Sequence, residues 1–247
     1  MMTAFNPCLL IPVYNHEGPL PKIVERLAPH RLPCILVDDG SDAACAATIR
    51  ELAGQYPEVQ SIRLDVNQGK GAAVKTGILA ARAQGFSHAV QIDADGQHDP
   101  DDLEKFLAAA RQHPEAAVIG RPLFDESVPK LRYYARYLTH IWVHINTLSF
   151  AIPDSMCGYR VYPIEPSAKL IQRIALEDRM AFDTEILVHL YWQGVPVVSI
   201  ITRVRYPQDG ISHFRGWEDN LRISLTHARL FFGMLPRIPK LLARHFR

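Results

Sequence analysis

The chain predicts an α/β domain, a mostly parallel central sheet flanked by helices, and three observations carry that expectation. Short apolar runs alternate with segments of helical periodicity. Several of those runs end in strings of acids, amides and glycines, the composition of the carboxyl-end rim where open α/β sheets bind ligands. With 247 residues, 48% of them hydrophobic, there is material for one large core.

The elements follow in order. Leu9 to Val13 reads as a strand and runs into Pro12-Val13-Tyr14-Asn15-His16-Glu17; a helix over Pro21 to Ala28 comes next. Ile35 to Val37 is a second strand ending in Asp38-Asp39-Gly40-Ser41-Asp42, where Ser41 or Asp42 suits the N-cap of a helix over Ala43 to Tyr56. Ser61 to Leu64 is a third strand. Behind it, Asn67-Gln68-Gly69-Lys70-Gly71 opens a helix from Gly71 to Ala83 and reads either as a phosphate-cradling nest or as a tight connection. Ala89 to Ile92 is the fourth strand, and Asp99-Pro100 caps a helix over Asp101 to Gln112 whose Leu103, Phe106, Leu107 and Ala110 recur at helical spacing. Ala117 to Ile119 and Val197 to Ile201 complete the strands.

Between those last two, Leu131, Tyr134, Leu138, Ile141, Ile145 and Leu148 form an apolar seam at spacings of three and four, which predicts core packing. A second reading of this segment has Arg132 and Arg136, one turn apart, receiving a lipid phosphate whose chain lies along Tyr133, Tyr137 and Trp142. A later helix passes through Ile186, Leu187 and Leu190, with Asp183 placed to cap it.

Charge is uneven. The net charge is +1, yet Asn220 to Arg247 holds six Lys/Arg (Arg222, Arg229, Arg237, Lys240, Arg244, Arg247) and no acid. Phe231, Phe232, Leu235, Ile238, Leu241, Leu242 and Phe246 interleave with these cations. The segment from 216 to 247 therefore reads as a basic amphipathic helical extension to a domain of residues 1–215. It suits peripheral contact with an anionic membrane surface or docking on the core. Nucleic acid is disfavoured, because the cations do not recur beside aromatics elsewhere. Cys8, Cys34, Cys45 and Cys157 show neither metal-ligand spacing nor a disulfide framework, which fits a reducing cytoplasm. Neither a signal peptide nor a membrane span is recognisable; Leu131 to Ile152, the most apolar long stretch, is interrupted by Arg132, Arg136, His140, His144 and Asn146.

The chemistry centres on Asp93-Ala94-Asp95-Gly96-Gln97-His98-Asp99-Pro100. Two carboxylates one residue apart at a strand's end suit a hard cation such as Mg²⁺ or Mn²⁺, which takes one or two protein carboxylates and fills its remaining positions with water and phosphate oxygens. Gln97 is a further oxygen donor. A polar turn is the plainer reading of an isolated Asp-x-Asp, but it leaves unexplained why four strand ends carry polar strings on one rim.

Taken together, Pro12-Val-Tyr-Asn, Val37-Asp-Asp-Gly-Ser, Asn67-Gln-Gly-Lys-Gly, Asp93-Ala-Asp-Gly-Gln-His-Asp-Pro and Asp154-Ser-Met-Cys-Gly-Tyr-Arg160 resemble the inverting family 2 glycosyltransferases, in particular the polyprenyl-phosphate, dolichyl-phosphate-mannose-synthase-like branch. The resemblance runs over roughly residues 5 to 215. It implies a single Rossmann-like domain of the GT-A type, a nucleoside-diphosphate-sugar donor (UDP- or GDP-sugar), a Mg²⁺ or Mn²⁺ cofactor and a lipid-linked acceptor. The expected setting is the cytoplasmic face of the membrane.

Carried over by position, the resemblance puts Pro12 and Tyr14 in the nucleobase pocket and Val37 and Asp39 on base or ribose. Asp93, Ala94, Asp95 and Gln97 meet metal and diphosphate, and Arg121 meets donor phosphate or acceptor. Asp154 to Arg160 form the acceptor loop, and Arg205 with Ser212-His213 closes over the diphosphate. The chain departs from the branch at His16, where Glu commonly stands, and at His213, where Lys commonly stands. Its longer segment from Arg205 to His213 lets Arg203 compete with Arg205.

Displacing a nucleoside diphosphate builds negative charge on the leaving phosphate, which Lys70, Arg121, Arg205 or His213 could neutralise beside the metal. A lipid-phosphate acceptor needs no general base. A hydroxyl acceptor does, and Asp154 is then the candidate, with Asp183 and Glu185 as second choices. The alternatives are a hydroxyl-directed transferase acting on another envelope lipid or glycan, a catalytically inert nucleotide-binding module of a membrane biosynthetic complex, and a nucleotidyltransferase.

Overall fold

In the computed structural model, which describes residues 4–124, 130–205 and 216–246, seven strands form one sheet in the order β3-β2-β1-β4-β6-β5-β7. β1 (Pro7–Val13), β2 (Cys34–Asp38), β3 (Val59–Arg63) and β4 (His88–Gln91) are mutually parallel where they pair. β1 and β2 are buried along their whole lengths, as strands covered on both faces must be. The first three strands step one way from β1 and β4 lies on its other side, so the strand order reverses between β1 and β4. Such a switch point splays neighbouring loops apart and leaves a crevice at the strands' carboxyl ends.

Helices α1 (Leu20–Leu27), α2 (Ala43–Gln55), α3 (Lys70–Ala83) and α4 (Leu103–Gln112) supply the crossovers. Asp42 is the N-cap of α2, its carboxylate accepting from Cys45 N at 2.9 Å. Asp99 caps the single 3-10 turn Pro100–Asp102 that leads into α4.

β5 (Ala117–Phe124) and β7 (Val197–Val204) extend the parallel set, but between β4 and β5 lies β6 (Arg160–Pro163), antiparallel to both. In the sequence, Arg160 closes the loop from Asp154 and no strand is expected here. Its four residues carry a charge, one aromatic and a proline, which conceals a strand whose side chains are all buried. Register pairs Arg160 with Gln91 and with Ile119, so the start of β6 abuts the end of β4. The loop entering β6 thereby shares the rim with the acidic pair that follows β4.

Helix α5 (Lys130–Thr147) connects β5 to β6, and α6 (Ile164–Arg173) and α7 (Phe182–Gln193) follow. The expected core seam of α5 faces the other way. Tyr134, Leu138 and Ile141 are 68%, 60% and 55% exposed, while Thr139, Val143, Asn146 and Thr147 are buried. The inward face is held by polar bonds: Trp192 Nε1 donates to the Asn146 carbonyl at 2.9 Å, and Thr147 Oγ1 donates to the Val143 carbonyl at 2.8 Å. The side chains of Leu131, Arg132 and Tyr133 lie outside the described residues.

The basic C-terminal segment is α8 (Gly216–Met234), a 3-10 turn (Leu235–Arg237), α9 (Ile238–Leu242) and a second 3-10 turn (Ala243–Phe246). Leu230, Met234 and Leu241 are buried in the core on the α7 side of the sheet. Several of its cations have partners on the domain: Arg244 Nη2 donates to the Trp192 carbonyl at 3.1 Å, Arg237 lies 4.6 Å over the Trp192 ring, and the exposed Arg229 pairs with Glu177 at 2.9 Å. Leu221, Leu225 and Phe232 point outward. Trp142 of α5 contacts His227 and Phe231 of α8, so the exposed apolar residues of the two helices belong to one surface. Among the described residues no helix is long and apolar enough to cross a membrane.

Candidate active site

The loops at the carboxyl ends of β1, β2, β3 and β4, the loop entering β6, the segment before α7 and the first turns of α8 enclose a cavity of about 390 Å³. Pro12, Tyr14 and His16 line it from β1; Asp39 from β2; Asn67, Gly69 and Lys70 from the turn before α3; and Asp93, Ala94, Asp95, Gln97 and His98 from β4. Met156, Cys157, Gly158, Arg136 and Thr139 face them across the opening.

Asp39 organises one wall. Its carboxylate accepts from Asn67 Nδ2 at 2.9 Å, Gln68 N at 2.8 Å and Gly69 N at 2.8 Å. Burial raises its pKa above the usual carboxylate range even though those donors pull the other way. Gly69 has φ +114°, and a Cβ there would stand 2.4 Å from the Asp178 carbonyl, so this turn admits glycine alone. Asp178 and Arg179 thus pack directly on it, and Arg179 and Met180 line the cavity. In the sequence, both are marked only by a charged string just ahead of the α7 pattern.

Lys70 sits at the centre of the charge cluster. Its ammonium donates to Asp93 Oδ2 and to Asp183 Oδ2, each at 2.7 Å, and these two carboxylates hold its pKa above the normal lysine value against the opposing effect of burial. Asp93 also accepts from Gln91 Nε2 at 3.0 Å; although burial disfavours its charge, Lys70 and then His98 bring its pKa down to about 2. Asp183 is inside the first turn of α7, whose N-cap is Ala181, so the capping role expected for it is replaced by the ion pair with Lys70. Gly158 lies against Asp93: a Cβ at that position would come within 1.8 Å of Asp93 Oδ2.

Asp95 Oδ1 accepts from Gln97 N at 3.0 Å, and Oδ2 has no partner among the described residues. His98 is buried, its Nδ1 has no hydrogen-bond partner among the described residues, and its backbone forms an isolated bridge with Val204 that ties the acidic loop to β7. No three His, Cys, Asp or Glu side chains among the described residues converge on one point. A part-free carboxylate, a second carboxylate and the Gln97 amide therefore fit a hard cation that shares its shell with a diphosphate, rather than a closed all-protein metal site.

Four expected roles need correction. Val37 is fully buried in the core, because it faces α3 from inside the sheet. Arg121 is exposed and its neighbour Pro122 lines the cavity; alternation along β5 sends the two side chains to opposite faces. Arg205 is likewise exposed outside the cavity while Val204 lines it, although the Arg205 N–H donates to the Gln97 carbonyl at 3.0 Å. Asp154, the candidate base, is 3% exposed and saturated: it accepts from Arg136 at 2.6 and 2.7 Å and from the N–H groups of Met156 and Cys157, with His140 3.3 Å away. His140 and Arg136 hold its pKa far below the carboxylate range despite burial, leaving a weak base that anchors the loop. Ser212 and His213 lie outside the described residues.

Arg160 completes that loop from below. It is 1% exposed and donates to the carbonyls of Cys157, Asp183 and Ser155, each at 2.6 Å. Three loop and helix carbonyls on one guanidinium fix the segment 155–158 relative to α7.

The Glycosyl transferase family 2 model matches residues 8–179. A dolichyl-phosphate β-glucosyltransferase of Trichomonas vaginalis is 27% identical over 198 residues, 72% of this chain and 59% of that protein. The polyprenol monophosphomannose synthase of Mycolicibacterium smegmatis is 27% identical over 223 residues, 84% of this chain and 80% of that protein. The chain spans less than two thirds of the length of the dolichyl-phosphate β-glucosyltransferases it matches. Among solved structures, glucosyl-3-phosphoglycerate synthase from Mycobacterium tuberculosis, in complex with Mn²⁺, UDP-glucose and phosphoglyceric acid, superposes with a TM-score of 0.66. It does so at 11% identity, covering 92% of this chain and 80% of that one, a likeness of fold.

Proposed function

The chain belongs to glycosyl transferase family 2, and from that premise we propose that it is a metal-dependent inverting enzyme moving a sugar from a nucleoside-diphosphate-sugar to a polyprenyl-type lipid phosphate at the cytoplasmic face of a membrane. The observation that carries this reading is the construction of α5. One helix turns Arg136 into the cavity and exposes Tyr134, Leu138 and Ile141 on its other side. A phosphate entering beside Arg136 would bring its hydrocarbon chain to the helix whose exposed side chains Tyr134, Leu138 and Ile141 are apolar. The relatives named for dolichyl-phosphate and polyprenol substrates support the same acceptor class.

Pro12, Tyr14 and Asp39 would receive the nucleoside at the switch point. Asp93, Asp95 and Gln97 would hold Mg²⁺ or Mn²⁺, which when bound supplies Lewis-acid stabilisation to the departing diphosphate. Lys70 adds a fixed positive charge at the same place. A phosphate acceptor is already an anion, so the transfer needs no general base, in keeping with the fully engaged Asp154. Arg136 orients that acceptor, and the loop clamped by Arg160 and Asp154 keeps water from the anomeric carbon.

The test is a thermal-shift panel of nucleoside diphosphates with and without Mn²⁺. Stabilisation by UDP or GDP should require the metal and vanish in Asp95→Ala, since only a ligand of the folded form raises the melting temperature. An equal response without metal would favour a degenerate nucleotide-binding module instead.

A further inference from the structure

We propose that Lys70 is a resident counter-ion that makes divalent-cation binding at Asp93 and Asp95 conditional on the nucleoside diphosphate; the inference rests on the donor-site reading above. Both oxygens of Asp93 are engaged, Oδ2 by Lys70 and Oδ1 by Gln91. The same ammonium bonds Asp183, whose other oxygen lies 3.5 Å from Arg160. With its side chain only 15% exposed, the ammonium has these carboxylates where it would otherwise have water.

A cation that takes Asp93 as a ligand must displace that ammonium or settle beside it, and like charges in a partly dry site repel strongly. Without Asp93, the described residues here offer Asp95 and the Gln97 amide, too few donors for a hard cation to give up much of its water. A diphosphate changes both sides of the exchange. It supplies oxygens to the cation and an anionic partner to Lys70, whose place at the first residue of α3 sets it on the cavity wall beside Gly69. Metal and nucleotide then favour the same arrangement, and each must tighten the other's binding by one common factor.

The experiment is isothermal titration of the full chain with Mn²⁺, alone and with saturating UDP or GDP. Wild type should bind Mn²⁺ at least about tenfold more tightly in the presence of the effective nucleotide. Lys70→Met should bind Mn²⁺ alone about tenfold more tightly than wild type and lose most of the nucleotide dependence. The added affinity should disappear in the Lys70→Met/Asp93→Asn double variant, and Lys70→Arg should behave as wild type. If Lys70→Met does not fold, Lys70→Gln keeps N–H donors for the carboxylates while removing the charge, and the same gain is expected of it. A folded neutral variant whose Mn²⁺ affinity is unchanged or weaker overturns the proposal. So does a wild type in which nucleotide and metal bind independently, a result that leaves the donor-site reading standing. Absence of any metal-supported nucleotide binding overturns both.

Discussion

Adding one methyl group at Gly158 probes the whole arrangement around Asp93. The new Cβ would lie 1.8 Å from Oδ2 and 2.2 Å from Cγ of Asp93, where real Cβ contacts below 3.0 Å are essentially never seen. The carboxylate must therefore retreat by more than an ångström. It has no slack for this, because Lys70 holds Oδ2 at 2.7 Å and Gln91 holds Oδ1 at 3.0 Å. Overpacking of this kind costs roughly 1–3 kcal/mol, and breaking one arm of a buried ion pair moves the figure to the upper end, about 3 kcal/mol. A displacement of about 1 Å in a group that positions reacting atoms costs on the order of 10²-fold in rate. Gly158→Ala should thus lower the urea midpoint by an amount equivalent to about 3 kcal/mol. Sugar transfer should fall about a hundredfold, with Mn²⁺-supported nucleotide binding falling alongside. A variant within about 0.5 kcal/mol of wild type that still binds metal and nucleotide normally would refute the crowding argument.

Other perturbations test different parts of the molecule. His227 is buried against Trp142 and burial pushes its pKa down to about 4. The unfolded chain gains that proton near pH 6.5 and the folded one only near 4, so stability present above 6.5 is lost as pH falls, by about 3 kcal/mol in all. His227→Gln should flatten that part of the pH–stability curve, and an unchanged slope in urea titrations between pH 6.5 and 4.5 would count against it. Leu138→Asp with Ile141→Asp should abolish sedimentation with anionic liposomes while leaving stability within about 0.5 kcal/mol, because both side chains already face outward. Persistent sedimentation would remove the membrane role of α5. Deleting residues 237–247 is a poorer probe of the same question: Leu241 is buried, and Leu241→Ala alone should cost about 2–5 kcal/mol by calorimetry or urea titration.

Local pattern carried the first half of the molecule and failed where long-range pairing decides. Strands β1 to β4 and helices α1 to α4 follow from apolar runs, caps and glycines that act within a few residues, and most of the rim residues expected there do line the cavity. β6 escaped because its burial depends on β4 and β5 on either side, which no four-residue string displays. The Lys70–Asp183 bond joins residues 113 positions apart, and the ion pair of Arg136 with Asp154 turns on a helix whose inward face is polar. Periodicity identified that helix but assigned its apolar side to the interior, because amphipathicity shows that two faces differ without showing which one meets the core. Val37, Arg121 and Arg205 were placed by position in a motif, and strand alternation or burial decided otherwise.

The reversed strand β6 has an architectural consequence. Because β5 runs toward the rim and β6 departs from it, their connection, described over residues 130–159, returns to the end of the sheet from which it left, like a drawer in a fixed cabinet. The loops that carry Asp39, Lys70, Asp93 and Asp95 belong to other connections and meet it across the cavity. The outer surface of α5 can therefore be exchanged without re-registering a strand, whereas the return arm cannot, because Gly158 lies directly against Asp93.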